Sequence, residues 1–316
     1  MLAREMPEDD YLFFWQLRPT CVFGRNQDPY AELDLDFCRR HGVDIVRRKS
    51  GGGTIFADED NIMVSLVTGG GPVEPVFGAF TQQIAHRLKS LGAPTMISGR
   101  NDICLDDGRK ICGGAFYHLR NRNIVHCTML YDTNMPLMRG CLTPSRAKLE
   151  SKGVKSVPSR IGLLKEYLPF GANELRRKLG SLLTDRTLLL TEEQARSITD
   201  AAEAYRDTAY LYGNKCTDEP LPLLTLSRHV EGCGRIDIFI YAHDGAVSDV
   251  RLGGDFFEAG GVPANEAFCK AFVGQPPELL ALKAAVKANH PEHSVRGLTE
   301  KALLRILSED LKIVKS

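Results

Sequence analysis

The stretch Arg47-Arg48-Lys49-Ser50-Gly51-Gly52-Gly53-Thr54-Ile55-Phe56 decides how this chain is read. Three consecutive glycines usually mark a loop, yet these stand between two strand-like runs, Asp44-Ile45-Val46 and Thr54-Ile55-Phe56. Residues without a Cβ let a ligand approach the main chain closely and expose several N–H donors. Arg47 and Arg48 add charge that does not titrate away. Together they suit a phosphate. The segment is not a Walker A loop, because no Gly-Lys-Ser/Thr follows and no helix starts there. Taken alone, it reads equally well as a glycine-rich bulge flanked by two solvated arginines.

The pattern on either side is that of a mixed α+β domain. "YLFFWQL" and "TCVFG", within residues 11–23, read as two short strands around Arg18-Pro19. Glu32 to Gly42 reads as a short helix with a glycine stop. Phe77, Phe80, Ile84, Leu88 and Leu91 recur at spacings of three and four, the period of an amphipathic helix that Gly92 closes. "ICLDDGRKICGGAF", residues 103–116, is a hairpin turning at Asp107-Gly108. Lys110 then lies just past the turn and Arg109 on the other face of the strand. Residues 123–131 form a further strand. The regular βαβ alternation of a doubly wound fold is absent.

Residues 171–212 read as helical, with Thr191 capping "TEEQARSITDAAEAY". Pro220 and Pro222 mark a break, so the expected domains are 1–218 and 219–316. In the tail, Ile236, Ile238 and Ile240 alternate with polar residues, Asp244-Gly245 turns the chain, and a second strand passes through Val250 and Leu252. Two helices close it. The last is capped by Thr299 and lined by Leu304, Leu307, Leu311 and Val314.

Forty basic and forty acidic residues give zero formal net charge, which argues against a nucleic-acid partner. No apolar run approaches the roughly 20 residues that cross a bilayer, and the first residues lack the apolar core of a signal peptide. The nine cysteines are scattered without a Cys-x-x-Cys pair, which argues against zinc and for a reducing, cytoplasmic setting.

Further pieces favour the ligand-binding reading of the glycine run. "SGRNDI", Ser98 to Ile103, sets an arginine, an amide and a carboxylate together, and Asp102 could hold magnesium against phosphates. Its bland reading is a self-bonded polar turn. Lys110 stands beside small residues in "GRKICGGAF". In order, "FGRNQ" (Phe23 to Gln27), "RRKSGGGTIFADEDN" (Arg47 to Asn61), "SGRNDI", "GRKICGGAF" and "LESKGVKSVPSRIGLL" (Leu149 to Leu164) resemble the motif set of the lipoate–protein ligase A family. "GDFF", Gly254 to Phe257, resembles the accessory domain of the same ligases.

The resemblance implies a mixed-sheet fold shared with biotin ligases and related to class II aminoacyl-tRNA synthetases, with a small C-terminal α+β accessory domain. It implies that lipoate and MgATP give lipoyl-adenylate. The lipoyl group then passes to a lysine on a lipoyl domain of a 2-oxoacid dehydrogenase or on the glycine-cleavage H protein. By the same resemblance Lys110 is catalytic, bridging the lipoyl carbonyl and the α-phosphate. Arg48, Ser50, Gly51, Gly52, Gly53, Ile55, Asn61, Asn101, Asp102, Gly113 and His126 bind substrate and nucleotide, and Asp102 serves the metal. Phe23 and Val46 would line the channel for the lipoyl tail. The chain departs from the family pattern at Ala57 in place of a histidine, Asp60 in place of a glycine, Cys112 in place of a serine, and Val125 beside the retained His126.

Two rivals remain at this stage. One is an octanoyl or lipoyl transferase of the same fold that works through a cysteine thioester without ATP, with Cys112 or Cys127 as nucleophile. The other is a non-catalytic lipoyl-binding protein.

Overall fold

The computed structural model describes residues 2–99, 102–119, 121–142, 161–213, 221–259 and 261–310. Two compact units emerge. The first comprises Met1–Phe23, Pro29–Arg48 and Thr54–Gly213; the second comprises Gly24–Asp28, Lys49–Gly53 and Asn214–Ser316.

The first unit holds two sheets. Strands β1 (Tyr11–Trp15), β5 (Asn61–Gly69), β9 (Arg122–Leu130), β8 (Lys110–Leu119), β7 (Asp102–Leu105) and β6 (Thr95–Ser98) form an antiparallel sheet in the order β1-β5-β9-β8-β7-β6. Strand β2 (Thr20–Phe23) pairs in parallel with β3 (Asp44–Arg47) and antiparallel with β4 (Ile55–Ala57) in a small mixed sheet. The two strands read within residues 11–23 therefore exist but do not form one hairpin: β1 pairs with β5, in the other sheet. Helix α4 (Val73–Ser90) buries Phe77, Phe80, Ile84 and Leu88, the spacing expected for a core-facing stripe. Its Phe77 ring lies 5.5 Å from that of Phe116 on β8, so α4 covers one face of the large sheet.

Three short helices complete this unit's small sheet and its N-terminal part: α1 (Leu2–Glu5), α2 (Pro29–Glu32) and α3 (Leu35–Arg40). Asp34 caps α3 by accepting from Phe37 N–H, and Asn134 caps α5 (Met135–Cys141) by accepting from Leu137 N–H. Beyond them run helices Ala172–Leu183, Glu192–Glu203 and Thr208–Tyr212. Thr191 and Gln194 form a reciprocal capping box on the second, as the sequence predicts.

The second unit contains a three-stranded antiparallel sheet of β10 (Leu224–Val230), β11 (Gly234–His243) and β12 (Ala246–Gly254). The Ile236, Ile238, Ile240 alternation and the Asp244-Gly245 turn are as expected, Asp244 taking φ 51°. Strand β10 escapes the sequence reading because its apolar alternation stops after Leu226. Three helices follow rather than two: Gly261–Lys270, Leu279–Asn289 and Glu300–Asp310. Thr299 Oγ1 accepts from Ala302 N–H (3.2 Å) and Leu303, Ile306 and Leu307 are buried. Leu311 and Val314 lie outside the described residues. Among the described residues no helix is long and apolar enough to cross a membrane.

The Asp107-Gly108 turn is confirmed, with Gly108 at φ 84°. Arg109, however, sits before the first residue of β8 rather than on a strand face. Its guanidinium binds Asp107 (2.7 Å), Glu166 (3.0 Å) and the Tyr167 hydroxyl (2.8 Å), tying the turn to a later segment. Arg109→Met should lower the melting temperature by roughly 2–4 °C, the shift that ~1 kcal/mol produces in a domain of this size. A thermal melt followed by circular dichroism checks this.

Candidate functional site

Lys110 owes its direction to an irregularity. Asp102 faces Gly113 and Ile103 faces Cys112, but Cys104 then faces Lys110, so Ile111 is an extra residue on β8. Cross-strand partners share a face and neighbours along a strand alternate. Regular alternation from Gly113 would send Lys110 to the opposite face. The bulge turns it back to the face of Asp102. There Lys110 Nζ lies 2.7 Å from Asp102 Oδ1, with the two side chains 37% and 31% exposed. The Lys110 backbone is pinned by the Gly162 N–H, which donates to its carbonyl (2.8 Å). A Cβ on residue 113 would stand 2.9 Å from Nζ, so only glycine leaves the lysine its place.

Asp102, Gly113, Thr128 and Met63 follow one another across the sheet as partners, and Ala115, His126 and Ser65 do so two residues along. All share the face that carries Lys110. The opposite face holds Cys112 and Cys127 together with Phe116 and α4. Both cysteines are 1% exposed, and the hydrogen bond between their thiols, with burial, pushes Cys112 well above the usual thiol range.

His126 is partly buried, with Nδ1 2.7 Å from Ser65 Oγ. Trp15 Nε1–H donates to the same oxygen (2.9 Å), so Ser65 links the indole to the imidazole. Desolvation, helped by the nearby Arg48 charge, pushes His126 down to about 4, so the ring is neutral at pH 7. Arg48 itself donates from Nη1 to the Val22 carbonyl (3.1 Å).

Asn61, at the start of β5, is fully buried. Its Nδ2 donates to Asp58 Oδ1 (2.8 Å) and to the Asp132 carbonyl (3.1 Å), and its Oδ1 has no hydrogen-bond partner among the described residues. Asp58 is the organiser: it also accepts from Thr133 Oγ1 (3.0 Å) and Asn134 N–H (2.7 Å). The sequence reading missed Asp58 and Ser65. Asp58 had a signal, its place in the "ADEDN" motif; Ser65 had none.

Two expectations change. Arg47 is not a solvated anion ligand: its Nε donates to the Tyr210 carbonyl (2.9 Å) and Nη2 to the Leu211 carbonyl (2.9 Å), closing the end of helix Thr208–Tyr212. Phe23 is fully buried in the core of the small sheet, with the Arg47 guanidinium 4.5 Å from its ring centroid, and does not line a channel.

The glycine run belongs to the second unit. A Cβ on Gly51 would run into the Phe256 carbonyl, and Gly52 N–H donates to that carbonyl (3.0 Å). The "GDFF" segment is thus what demands glycine at position 51. Ser50 is buried, and its carbonyl accepts from Arg25 N–H (3.0 Å). Asn26 Nδ2 donates to Glu258 (2.8 Å), so the "FGRNQ" and glycine-run segments both pack on residues 254–258 within this unit. Ile55 sits on β4 opposite Val22. Asn101, and Leu149 to Arg160 of the later motif, lie outside the described residues.

The lipoyl protein ligase A/B catalytic-domain profile matches residues 1–181. The chain belongs to the lipoate–protein ligase A family. It is a ligase enzyme with the fold expected of that family. The lipoate-protein ligase LplJ of Bacillus subtilis is 29% identical over 312 residues, 95% of this chain and 92% of that protein. The fold resembles that of P. falciparum LipL1, solved in complex with lipoate, with a TM-score of 0.73 at 18% identity over 98% of this chain and 88% of that one. It also resembles a lipoate-protein ligase A bound with ATP, with a TM-score of 0.57 at 20% identity over 67% of this chain and 90% of that one.

Two measurements probe this geometry. Because His126 is held below its usual 6.5, its contribution to stability is complete above about pH 6.5 and is lost as the pH falls through about 4. The unfolding free energy of the wild type from urea denaturation should therefore drop more between pH 7 and pH 4.5 than that of His126→Gln, by on the order of 2 kcal/mol. Gly51→Ala should destabilise the chain by about 1–3 kcal/mol, the usual cost of an overpacked position against backbone; chemical denaturation measures it.

Proposed function

We propose that this ligase couples free lipoate to ATP and then to a protein lysine. The lipoate carboxylate attacks the α-phosphorus, pyrophosphate leaves, and the acceptor amine displaces AMP from the mixed anhydride. The observation that carries the reading is Lys110, turned by a bulge onto a face of small residues and held there by Asp102. An ammonium fixed in that way can sit between a carbonyl oxygen and an α-phosphate oxygen and stabilise the charge that develops on both.

The other assignments belong to the same proposal. Neutral His126 offers Nε2 as a hydrogen-bonding atom on the Lys110 face. Gly113 keeps room at Lys110, and Asn61 has on the same face a buried oxygen without a partner among the described residues. Arg48, Ile55, Asn101 and the run Ser50-Gly51-Gly52-Gly53 are assigned to substrate and nucleotide. To hold a phosphate, Gly52 N–H must first leave the Phe256 carbonyl. A magnesium ion fits the donor set, since Asp102 is a partly exposed carboxylate beside Lys110 and hard dications take carboxylate and phosphate oxygens. Asp102 would hold the ion, which would supply charge neutralisation on the phosphates. The acceptors are lipoyl domains of 2-oxoacid dehydrogenases or the glycine-cleavage H protein, with no role for nucleic acid or membrane, and the setting is the cytoplasm. We assign catalysis to residues 1–218, which contain Lys110, Asp102 and His126, and an accessory role to residues 219–316.

The thioester route lacks support in this geometry. Cys112 and Cys127 point to the α4 side of the sheet, buried, with Cys112 held protonated, and only a thiolate is nucleophilic.

Lipoate-dependent ATP–pyrophosphate exchange tests the reading. Lys110→Met should lower exchange by roughly 10²–10³, the worth of one preorganised charge, while the melting temperature hardly moves. Cys112→Ala should keep exchange per folded molecule. If Cys112→Ala abolished acyl transfer and the wild type needed no ATP, the thioester route would replace this one.

A further inference from the structure

Cys21 on β2, Cys38 on α3 and Cys141 at the end of α5 bring three sulfur atoms within 4.8 Å of one another. Each residue is 0% exposed. They lie far apart in sequence, with none of the close spacing that announces a metal site. The surroundings are apolar: Phe23, Leu33, Val43, Phe56 and Met138 complete the cluster. Among the described residues no histidine or carboxylate joins the three sulfurs at that range. The nearby Asp34 is committed elsewhere, its Oδ1 capping Phe37 N–H (2.8 Å) and its own N–H donating to the Cys141 carbonyl (2.9 Å).

The sulfur triangle depends on one close approach. A Cβ on Gly140 would penetrate the Phe37 ring, so only glycine lets α5 settle against α3 and carry the next residue, Cys141, to Cys38. Three sulfurs bound to one ion at roughly 2.3 Å each lie about 4.0 Å apart when coplanar with it, and closer in a pyramid. A bound centre would draw the three sulfurs, all within 4.8 Å of one another, closer together.

Charge selects the guest. Burial pushes Cys21 upward and Cys141 up to about 12, so these two thiols are neutral in the empty site. Three thiolates around a monovalent ion would leave two negative charges in an apolar core, and around a divalent ion one. Zinc would also lack the fourth ligand it takes in structural sites. A trivalent centre leaves no net charge and asks for only three ligands. We propose that Cys21, Cys38 and Cys141 form a binding site for a trivalent thiophilic metalloid, held as a neutral trithiolate, with arsenite as the probe. Three sulfur–arsenic bonds form and three arsenic–oxygen bonds break. Each departing hydroxide takes one thiol proton and leaves as water, and no electrons are transferred. Occupation ties β2 to α3 and α5, and entry needs the two short helices to open transiently.

The reduced full-length chain is incubated with sodium arsenite and examined by native mass spectrometry and arsenic-edge X-ray absorption. The expected result is a mass gain of one arsenic less three protons, three sulfur neighbours and no oxygen neighbour. Cys38→Ser should lose the three-sulfur signature, and the double variant Cys112→Ala/Cys127→Ala should keep it. No mass gain in the wild type would overturn the proposal. So would a shell of two sulfurs and one oxygen in the wild type, which would point to the Cys112–Cys127 pair, or a three-sulfur shell that survives Cys38→Ser. Zinc added alone should not bind at the three cysteines; stoichiometric zinc there, lost in Cys38→Ser, would overturn the charge argument. The wild-type absorption spectrum decides the matter even if Cys38→Ser fails to fold.

Discussion

The ion pair between Lys110 and Asp102 exists because β8 carries one residue more than β7 can match. Without Ile111 as the extra residue, alternation would point the lysine at α4, into a packed apolar layer where a charge is costly. With it, the ammonium stands beside Gly113, on the face that also carries Ala115, Thr128 and His126. Asp102 supplies the counter-charge, and the Gly162 bond to the Lys110 carbonyl holds the irregular backbone. The same parity that brings the lysine forward sends Cys112 and Cys127 backward. One inserted residue thus separates charge chemistry on one side of the sheet from inert thiols on the other.

The two adjacent arginines show how unlike the fates of neighbouring charges can be. Arg47 serves architecture: its guanidinium meets the last carbonyls of a helix, where positive charge is favourable, and lies over Phe23. Arg48 lies close enough to His126 to help hold that ring neutral. Around His126, the Trp15–Ser65 pair orients the ring by hydrogen bonding, so orientation and charge state come from separate neighbours. The glycine run follows a similar division. Gly51 answers a packing demand from Phe256, and Gly52 uses its N–H there.

Much of the architecture was legible in the sequence because its cues are local. The period of Phe77, Phe80, Ile84 and Leu88 specifies a helix buried on one side, Asp107-Gly108 specifies the turn, and Thr191 with Gln194 specifies a cap. The ordered motifs were enough to place the chain in its family. Each of these depends on residues a few positions apart, whose geometry the backbone alone sets.

Only the tertiary structure decided what depends on distant partners. Residues 11–23 give two strands, but which sheet each enters is set by β5 and by β3, far along the chain. The bulge at Ile111 is a mismatch between two strands and cannot be seen in either one. Arg47 has the same chemistry in any context; the carbonyls of Tyr210 and Leu211 make it structural. Cys21, Cys38 and Cys141 look scattered until β2, α3 and α5 pack together, because a close cluster of side chains is a property of folded distance and not of spacing along the chain.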